Sequence, residues 1–591
     1  MRPPCWMKRP QAATPDEKIV SCPYPKSVEA TRKEEYPLLQ ETTYLDHAGT
    51  TPYPRSLVDD FATEMNSNLF GNPHSNSPSS TLSTDVIESA RLQALAFFKA
   101  DPEHFDLIFV ANATAAIKLV MDCLSDHSQR AASWYRYHAD SHTSLVGVRE
   151  TAGGSYGCFK SDKEVDDWIH SRHSQDFHKP SLQSPSTEGF SLFAYPAQSN
   201  MNGRRLPLSW FGEIRSCNTP SSQVFTLLDA AAYVATAQLD LRDLDNAPDF
   251  TALSFYKTFG FPDLGALIVR KASGHVLSER RYFGGGTVDM VINGTINGEN
   301  TDAWHAKKST SLHEMLEDGT PASHNILALN LALKAHQRLF GSMENVSKHT
   351  CNLVKTLYDD MSRLVHANGL LVCKIYEGSP SKYGTSRDQG PTIAFNTRNS
   401  RGEWIGKSDF ERLAILNKIQ LRTGGVCNPG GIVSALEMSP KEMRDNFDEG
   451  LRCGNELDEI NGKPTGIIRV SLGAMSSMKD VGKFMIFMQL FVDTSPERPR
   501  TLRSFDSMGS KETASPHKEV RRPEAKATVC VKDGIAEPTC PVAACMESFE
   551  TRELLWSHLS VHKIGKAGKT LTSKTEGCLG MRTWRRWRFW S

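Results

Sequence analysis

An α/β fold built on a largely parallel sheet is the class this sequence predicts, on three observations. From about Tyr44 onward, short apolar runs of strand length alternate with helical patterns. One of those runs ends on an acidic residue, and another runs on into a lysine turn, as strand ends do at the edge of a parallel sheet. The chain of 591 residues, 39% of them hydrophobic, is long enough to bury a large core.

The elements follow in order. Residues 1–36 are rich in Pro and Lys and are expected to be disordered. Phe105-Asp-Leu-Ile-Phe-Val110 reads as a short buried strand, Val224-Phe-Thr-Leu-Leu228 as another ending at Asp229, and Leu264–Arg270 as a third. Asn325–Phe340 is a helical run rich in Leu and Ala that closes a large domain over 37–345. A smaller domain is expected over 346–493, with strands at Pro391–Phe395 and Gly466–Ser471. The apolar run Phe484–Val492 is too short to span a bilayer and reads as core. Residues 494–535 are rich in Ser, Pro, Lys and Glu and read as a linker. A small Cys/His module at 536–566 and a basic tail at 567–591 complete the chain.

Lys+Arg and Asp+Glu balance at 68 each, so no global field draws nucleic acid or a membrane surface. Thirteen Cys residues show no regular framework, and no apolar leader precedes them. Free thiols in a reducing compartment, with the cytosol as the default, are expected.

The chemistry concentrates at two distant points. Ser254-Phe-Tyr-Lys257 follows an apolar strand, and its aromatic surroundings would desolvate the lysine toward a neutral amine. A lysine there, with a serine three residues before it, suits a Schiff base to pyridoxal phosphate (PLP). Cys427 lies in Arg422-Thr-Gly-Gly-Val-Cys-Asn-Pro-Gly430, whose glycines suit a mobile nucleophile. Together they suggest an enzyme that takes sulfur from cysteine. Ala111-Asn-Ala-Thr-Ala-Ala116 follows a strand and opens a helix, a place where free N–H groups and the Thr114 hydroxyl would cup a phosphate, although many such turns carry Asn and Thr with no ligand. Asp229 at its strand end supplies the carboxylate that a pyridine nitrogen needs to serve as an electron sink, although such a residue is also a common helix cap. His142 is placed to stack on a ring or to lie on a polar surface. Gly284-Gly-Gly-Thr287 is a turn whose N–H groups suit a phosphate, including that of a neighbouring subunit.

With these residues assembled, the chain resembles the fold-type I PLP enzymes of the class V aminotransferase group. Within that group it is similar to the N-terminal half of the eukaryotic molybdenum cofactor sulfurases. The resemblance runs from about Tyr44 to Phe491, through Tyr44-Leu-Asp-His-Ala-Gly-Thr-Thr-Pro52, Gly71-Asn-Pro-His-Ser75, Asn112–Ala115, His142-Thr-Ser144, Leu228-Asp-Ala230, Ser254–Lys257, Glu317-Asp-Gly-Thr-Pro321, Arg422-Thr-Gly424 and Cys427-Asn-Pro-Gly430. It implies a PLP-dependent transferase fold, with a large mostly parallel domain and a smaller α/β domain. It implies Lys257 as the Schiff-base lysine, Asp229 on the pyridine nitrogen, His142 on the ring and Asn200 near cofactor or substrate. Thr114, Ala115, Ser254 and Thr287 would hold phosphate, Arg469 would clamp the substrate carboxylate, and Cys427 would carry the persulfide. L-cysteine is then the sulfur donor, the molybdenum cofactor or a protein carrying it the acceptor, and a homodimer the assembly. A cysteine desulfurase feeding iron–sulfur or thiolation pathways is the alternative.

The pattern departs from those sulfurases after Phe491, where no molybdenum-cofactor domain is legible. Instead Cys540, Cys545, His558 and His562, with Phe549 and Leu555 between the pairs, have the spacing of one C2H2 zinc finger. A loop with incidental Cys and His is the other reading of that spacing. A zinc-finger binding protein with a degenerate enzyme half is the contrasting functional class.

Overall fold

A computed structural model describes residues 23–128, 134–152, 155–173, 191–219, 223–294, 303–378 and 382–494. These all lie in one compact unit ending at Phe505. The Cys540, Cys545, His558 and His562 set, the linker and the basic tail lie outside the described residues.

Seven strands form the main sheet: β1 (Phe105–Val110), β2 (Trp134–His138), β3 (Tyr156–Phe159), β4 (Ser191–Pro196), β5 (Val224–Asp229), β6 (Phe250–Ser254) and β7 (Gly265–Arg270). Their order is β1-β7-β6-β5-β4-β2-β3. Every pairing is parallel except those of β7, which runs antiparallel to both β1 and β6. The strands read as continuous apolar runs because both faces are covered. Phe105, Leu107 and Phe109 enter one core cluster while Ile108, between them, enters the other. Phe193 and Tyr195 alternate with Leu192 and Ala194 in the same way.

The first face is packed by helices α2 (Pro78–Phe97) and α4 (Ser323–Phe340), which contact each other, and the second by α3 (Ala113–Ser128). Ser77 caps α2, its hydroxyl accepting from the Ser80 N–H with Pro78 in the first turn. In α4 the apolar positions Ile326, Leu329, Leu333 and Phe340 recur at helical spacing and are buried, while Gly341, at φ +75°, ends the helix.

A second sheet of four strands, β8 (Cys373–Ile375), β9 (Thr392–Thr397), β10 (Arg422–Gly424) and β11 (Ile467–Ser471), is antiparallel in the order β8-β9-β11-β10. Helices α5 (Met343–Ser362) and α7 (Met478–Met488) contact each other, and α5 packs on β8 and β9. Between β10 and the short helix α6 (Pro429–Ala435) lies the Cys427 turn.

The sequence expectation of a disordered segment up to residue 36 is corrected over its described part. Val28–Glu35 forms helix α1, capped by the Ser27 hydroxyl. Composition undercounted its anchors. Val28, Tyr24 and Tyr36 enter a buried cluster with Phe340 and Met475, and Arg32 reaches both carboxylate oxygens of buried Asp480 at 2.6 and 3.2 Å. Breaking an ion pair so little exposed costs about 3–5 kcal/mol, more than a surface pair is worth. No helix among the described residues is long and apolar enough to cross a membrane.

Candidate active site

The C-terminal edge of the parallel sheet carries the pocket. Pro196 and Asp229 lie side by side in register at the ends of β4 and β5, and Asp229 pairs in turn with Ala252, two residues before the end of β6. The chain turns there into loops and helix N-termini, the usual place for a ligand in such sheets. One pocket is lined by Thr114, His142, Ser144, Gln198, Asn200, Asp229, Ser254, Tyr256 and Lys257, among others. The structure therefore brings together six of the expected site residues, Thr114, His142, Asn200, Asp229, Ser254 and Lys257, which span 143 positions of the chain.

Each side chain is set by its local structure. Lys257 sits in a single helical turn, Tyr256–Phe259, that follows β6 directly. Burial pushes its pKa down, and the nearby Asp229 carboxylate opposes that shift. Asp229 is itself oriented by the Ala231 N–H, 3.0 Å from Oδ1. His142 caps the turn Thr143–Val146, its Nδ1 accepting from the Ser144 N–H at 3.2 Å. With Nδ1 as acceptor the ring proton is assigned to Nε2, and burial lowers the imidazole pKa, opposed by the Asp229 carboxylate. The Ser144 hydroxyl links His142 Nδ1 (2.9 Å) to the Thr114 hydroxyl (2.7 Å).

Of the four residues expected to hold phosphate, Thr114 and Ser254 line the pocket and Ala115 and Thr287 do not. Ser254 Oγ accepts from the Ala113 N–H at 2.9 Å, joining the start of α3 to the end of β6. Gly265 permits this approach, since a Cβ there would lie 2.5 Å from Asn112 Cα. Ala115, expected to hold phosphate, is not among the pocket's lining residues. Its N–H donates to Asn112 Oδ1 at 3.0 Å, so Asn112 caps α3. Thr287 is buried and donates to the Gly284 carbonyl of its own turn at 2.8 Å, and it too is absent from the lining.

Arg469, near the centre of β11, is 3% exposed. Its Nη1 donates to the Asn200 carbonyl at 2.8 Å and its Nη2 to Asp46 Oδ1 at 2.7 Å, while buried Nε has no partner among the described residues. A buried guanidinium with an open Nε–H has the geometry to take a carboxylate. Asp46 also takes Arg422, at 2.8 and 3.0 Å. Sequence reasoning gave Asp46 no role: its partners stand 376 and 423 positions away, beyond any local signal.

Cys427 is exposed, within electrostatic reach of Lys257, Arg469 and Arg422. The turn expected to be mobile is bonded to the pocket wall. The Thr143 N–H donates to the Cys427 carbonyl at 2.9 Å, and Asn200 Nδ2 donates to the Val426 carbonyl at 2.7 Å. Glycine content alone could not reveal these bonds, because their partners come from the main-sheet loops.

The donor set fits PLP: an anion cup at a helix N-terminus, a carboxylate at the strand end, an imidazole and a desolvated amine converge on one cavity. A larger cavity of about 680 Å³ opens beside Phe211, Leu239 and Asn246, but its lining has no lysine, histidine or cysteine.

Comparison with known proteins agrees with this geometry. Residues 43–484 match the family model described as aminotransferase class-V. The chain is similar to the molybdenum cofactor sulfurase of Aspergillus fumigatus, 55% identical over 469 residues, covering 79% of this chain and 54% of that protein. It is similar to that of Aspergillus niger, 54% identical over 477 residues, covering 80% of this chain and 55% of that protein. The chain thus spans about half the length of the curated relatives it matches. Among solved structures, an apo cysteine desulfurase from Thermococcus onnurineus superposes with a TM-score of 0.58 at 18% identity, covering 78% of this chain and 98% of that one. A cysteine desulfurase from Escherichia coli gives 0.56 at 17% identity, covering 78% and 98%.

Proposed function

The chain belongs to the aminotransferase class-V family, and from that premise we propose that it is a PLP-dependent sulfurtransferase. It takes sulfur from L-cysteine as a persulfide on Cys427, releases alanine and passes the sulfur to the molybdenum cofactor or a protein carrying it. The observation that carries this reading is the convergence of Lys257, Asp229, His142 and Ser254 on one pocket, with the Cys427 turn bonded to the wall of that pocket. The relatives' names support the acceptor.

When bound, PLP supplies an electron sink for negative charge at the substrate Cα. Lys257 would hold its aldehyde and move the proton at Cα, tasks suited to an amine kept below its ordinary pKa by burial. Asp229 would face the pyridine nitrogen, His142 the ring, and Thr114 with Ser254 the phosphate. The open Nε–H of Arg469 would take the substrate carboxylate, with Asn200 and Asp46 fixing the guanidinium. The Cys427 thiolate would attack the substrate sulfur: an S–S bond forms, the C–S bond breaks, and the carbon left behind is protonated to give alanine. Arg422 and Arg469 bring positive charge toward that sulfur.

The domain reading remains a large domain at 37–345 and a small one at 346–493 in a cytosolic homodimer. Exposed Met290, Val291, Ile292 and Trp304, on the hairpin that follows Thr287, support association through that arm.

The test is the visible absorbance of protein purified with PLP, followed by alanine release on adding L-cysteine. Alanine release that disappears in Cys427→Ala while the absorbance band persists supports the reading. Full turnover by Cys427→Ala refutes the persulfide role. Sulfur appearing on added molybdenum cofactor, and not on an iron–sulfur scaffold, separates the two acceptors.

A further inference from the structure

We propose that Asn428 and Asp140 form a latch that holds the Cys427 turn docked against the pocket, so that sulfur is taken up on a fixed turn rather than on a swinging loop. This rests on the persulfide role of Cys427 given above.

Asn428 is 0% exposed, although it directly follows an exposed cysteine. Its Nδ2 donates to Asp140 Oδ1 at 2.9 Å and lies 3.0 Å from Asn200 Oδ1. Its Oδ1 accepts from the Gly431 N–H at 2.9 Å and so caps α6. One side chain thereby joins the Cys427 turn, the helix behind it and two loops of the main sheet. Asp140 is held in turn by the Ser199 hydroxyl at 2.7 Å, and Arg204 stands 3.8 Å away. The neighbouring backbone is fitted just as closely, for a Cβ on Gly430 would run into the Ala139 carbonyl oxygen.

The backbone shows what the latch works against. Val426 and Cys427 both have positive φ, +44° and +55°. Two successive side-chain-bearing residues in the left-handed region persist only where surrounding contacts over-determine them, and a β-branched valine resists it most. Those contacts are the Asn428 amide, the Asn200 amide on Val426 and the Thr143 N–H on Cys427. Held this way, Cys427 lies within electrostatic reach of Lys257 and Arg469 while remaining open to solvent. An acceptor can therefore reach the sulfur without the turn undocking. Asn428 and Asp140 are positioning residues: they act through Cys427 and touch no reacting atom.

The test compares Asn428→Ala with Asn428→Ser, because serine keeps the α6 cap but is too short to bridge to Asp140. Both variants are expected to lower kcat for alanine release at least about tenfold, with KM for L-cysteine and the visible PLP band unchanged. In cofactor-free protein, amide exchange should rise in peptides spanning 140–146, 198–202 and 425–435 and nowhere else. Combining Asp140→Asn with Asn428→Asp exchanges donor and acceptor and should restore part of the lost kcat. Exchange and kcat both within about twofold of the parent in Asn428→Ser would overturn the latch. If the parent itself released no alanine, the sulfurtransferase reading would fail, and the exchange data would still judge whether the turn is pinned.

Discussion

Replacing Arg469 by lysine separates charge from shape at the proposed carboxylate receptor. The guanidinium uses two donors on Asn200 and Asp46 and keeps a buried Nε–H without a partner among the described residues. A carboxylate placed there takes Nε–H together with an adjacent Nη–H, the bidentate geometry that arginine alone offers. Lysine keeps the positive charge beside Asp46 but has one compact ammonium, which cannot serve Asp46, the Asn200 carbonyl and a substrate together. The loss is about one charge-assisted hydrogen bond, roughly 1.5–3 kcal/mol. At 1.36 kcal/mol per decade, that is about 10-fold to 150-fold in kcat/KM. The loss should fall on KM, because the carboxylate is held equally before and during bond breaking. The assay is initial-rate alanine release across L-cysteine concentrations, with the visible absorbance checking that PLP occupancy is unchanged. A KM within about threefold of the parent, at full occupancy, would refute Arg469 as the carboxylate receptor.

Lys257→Ala should abolish the visible band on adding PLP and reduce alanine release by about three decades or more, checked by absorbance and amino-acid analysis. Gly430→Ala should disrupt the docking of α6 on Ala139 and abolish Cys427-dependent turnover while leaving the PLP band intact, since Gly430 is not among the residues lining the PLP pocket. His336, buried among Phe97, Phe259 and Phe340, has its pKa pushed down to about 4 by desolvation. Between pH 6.5 and 4 the unfolded chain therefore binds the proton and the folded chain does not. Stability should fall by about 1.4 kcal/mol per pH unit in that window, ~3 kcal/mol by pH 4. His336→Phe should remove that share of the acid slope in denaturant titrations at pH 7 and pH 4.5, and an unchanged slope would show that His336 does not carry it.

The α/β class was legible in the sequence because a sheet covered on both faces makes its strands continuous apolar runs, as in β1, β5 and β7. The pocket was legible for a related reason. Thr114, Asp229, Ser254 and Lys257 each sit where a strand or its following turn ends, so their chain order maps onto one sheet edge. Helix α1 was missed because its anchors, Phe340, Met475 and Asp480, lie more than 300 residues away and composition carries no trace of them.

Residue types and local spacing by themselves determined which groups could do chemistry: a lysine after an apolar strand, an acid at a strand end, a cysteine among glycines. Only the tertiary structure decided which of them meet and which are already engaged. It gave the Ala115 N–H to Asn112, turned Thr287 onto its own loop, and set Asp46 between Arg469 and Arg422. It also bonded a glycine-flanked turn to the pocket wall through Asn428, Asn200 and Thr143. The physical reason is that hydrogen bonds and ion pairs between distant segments depend on the approach of whole elements. No window of sequence records that approach.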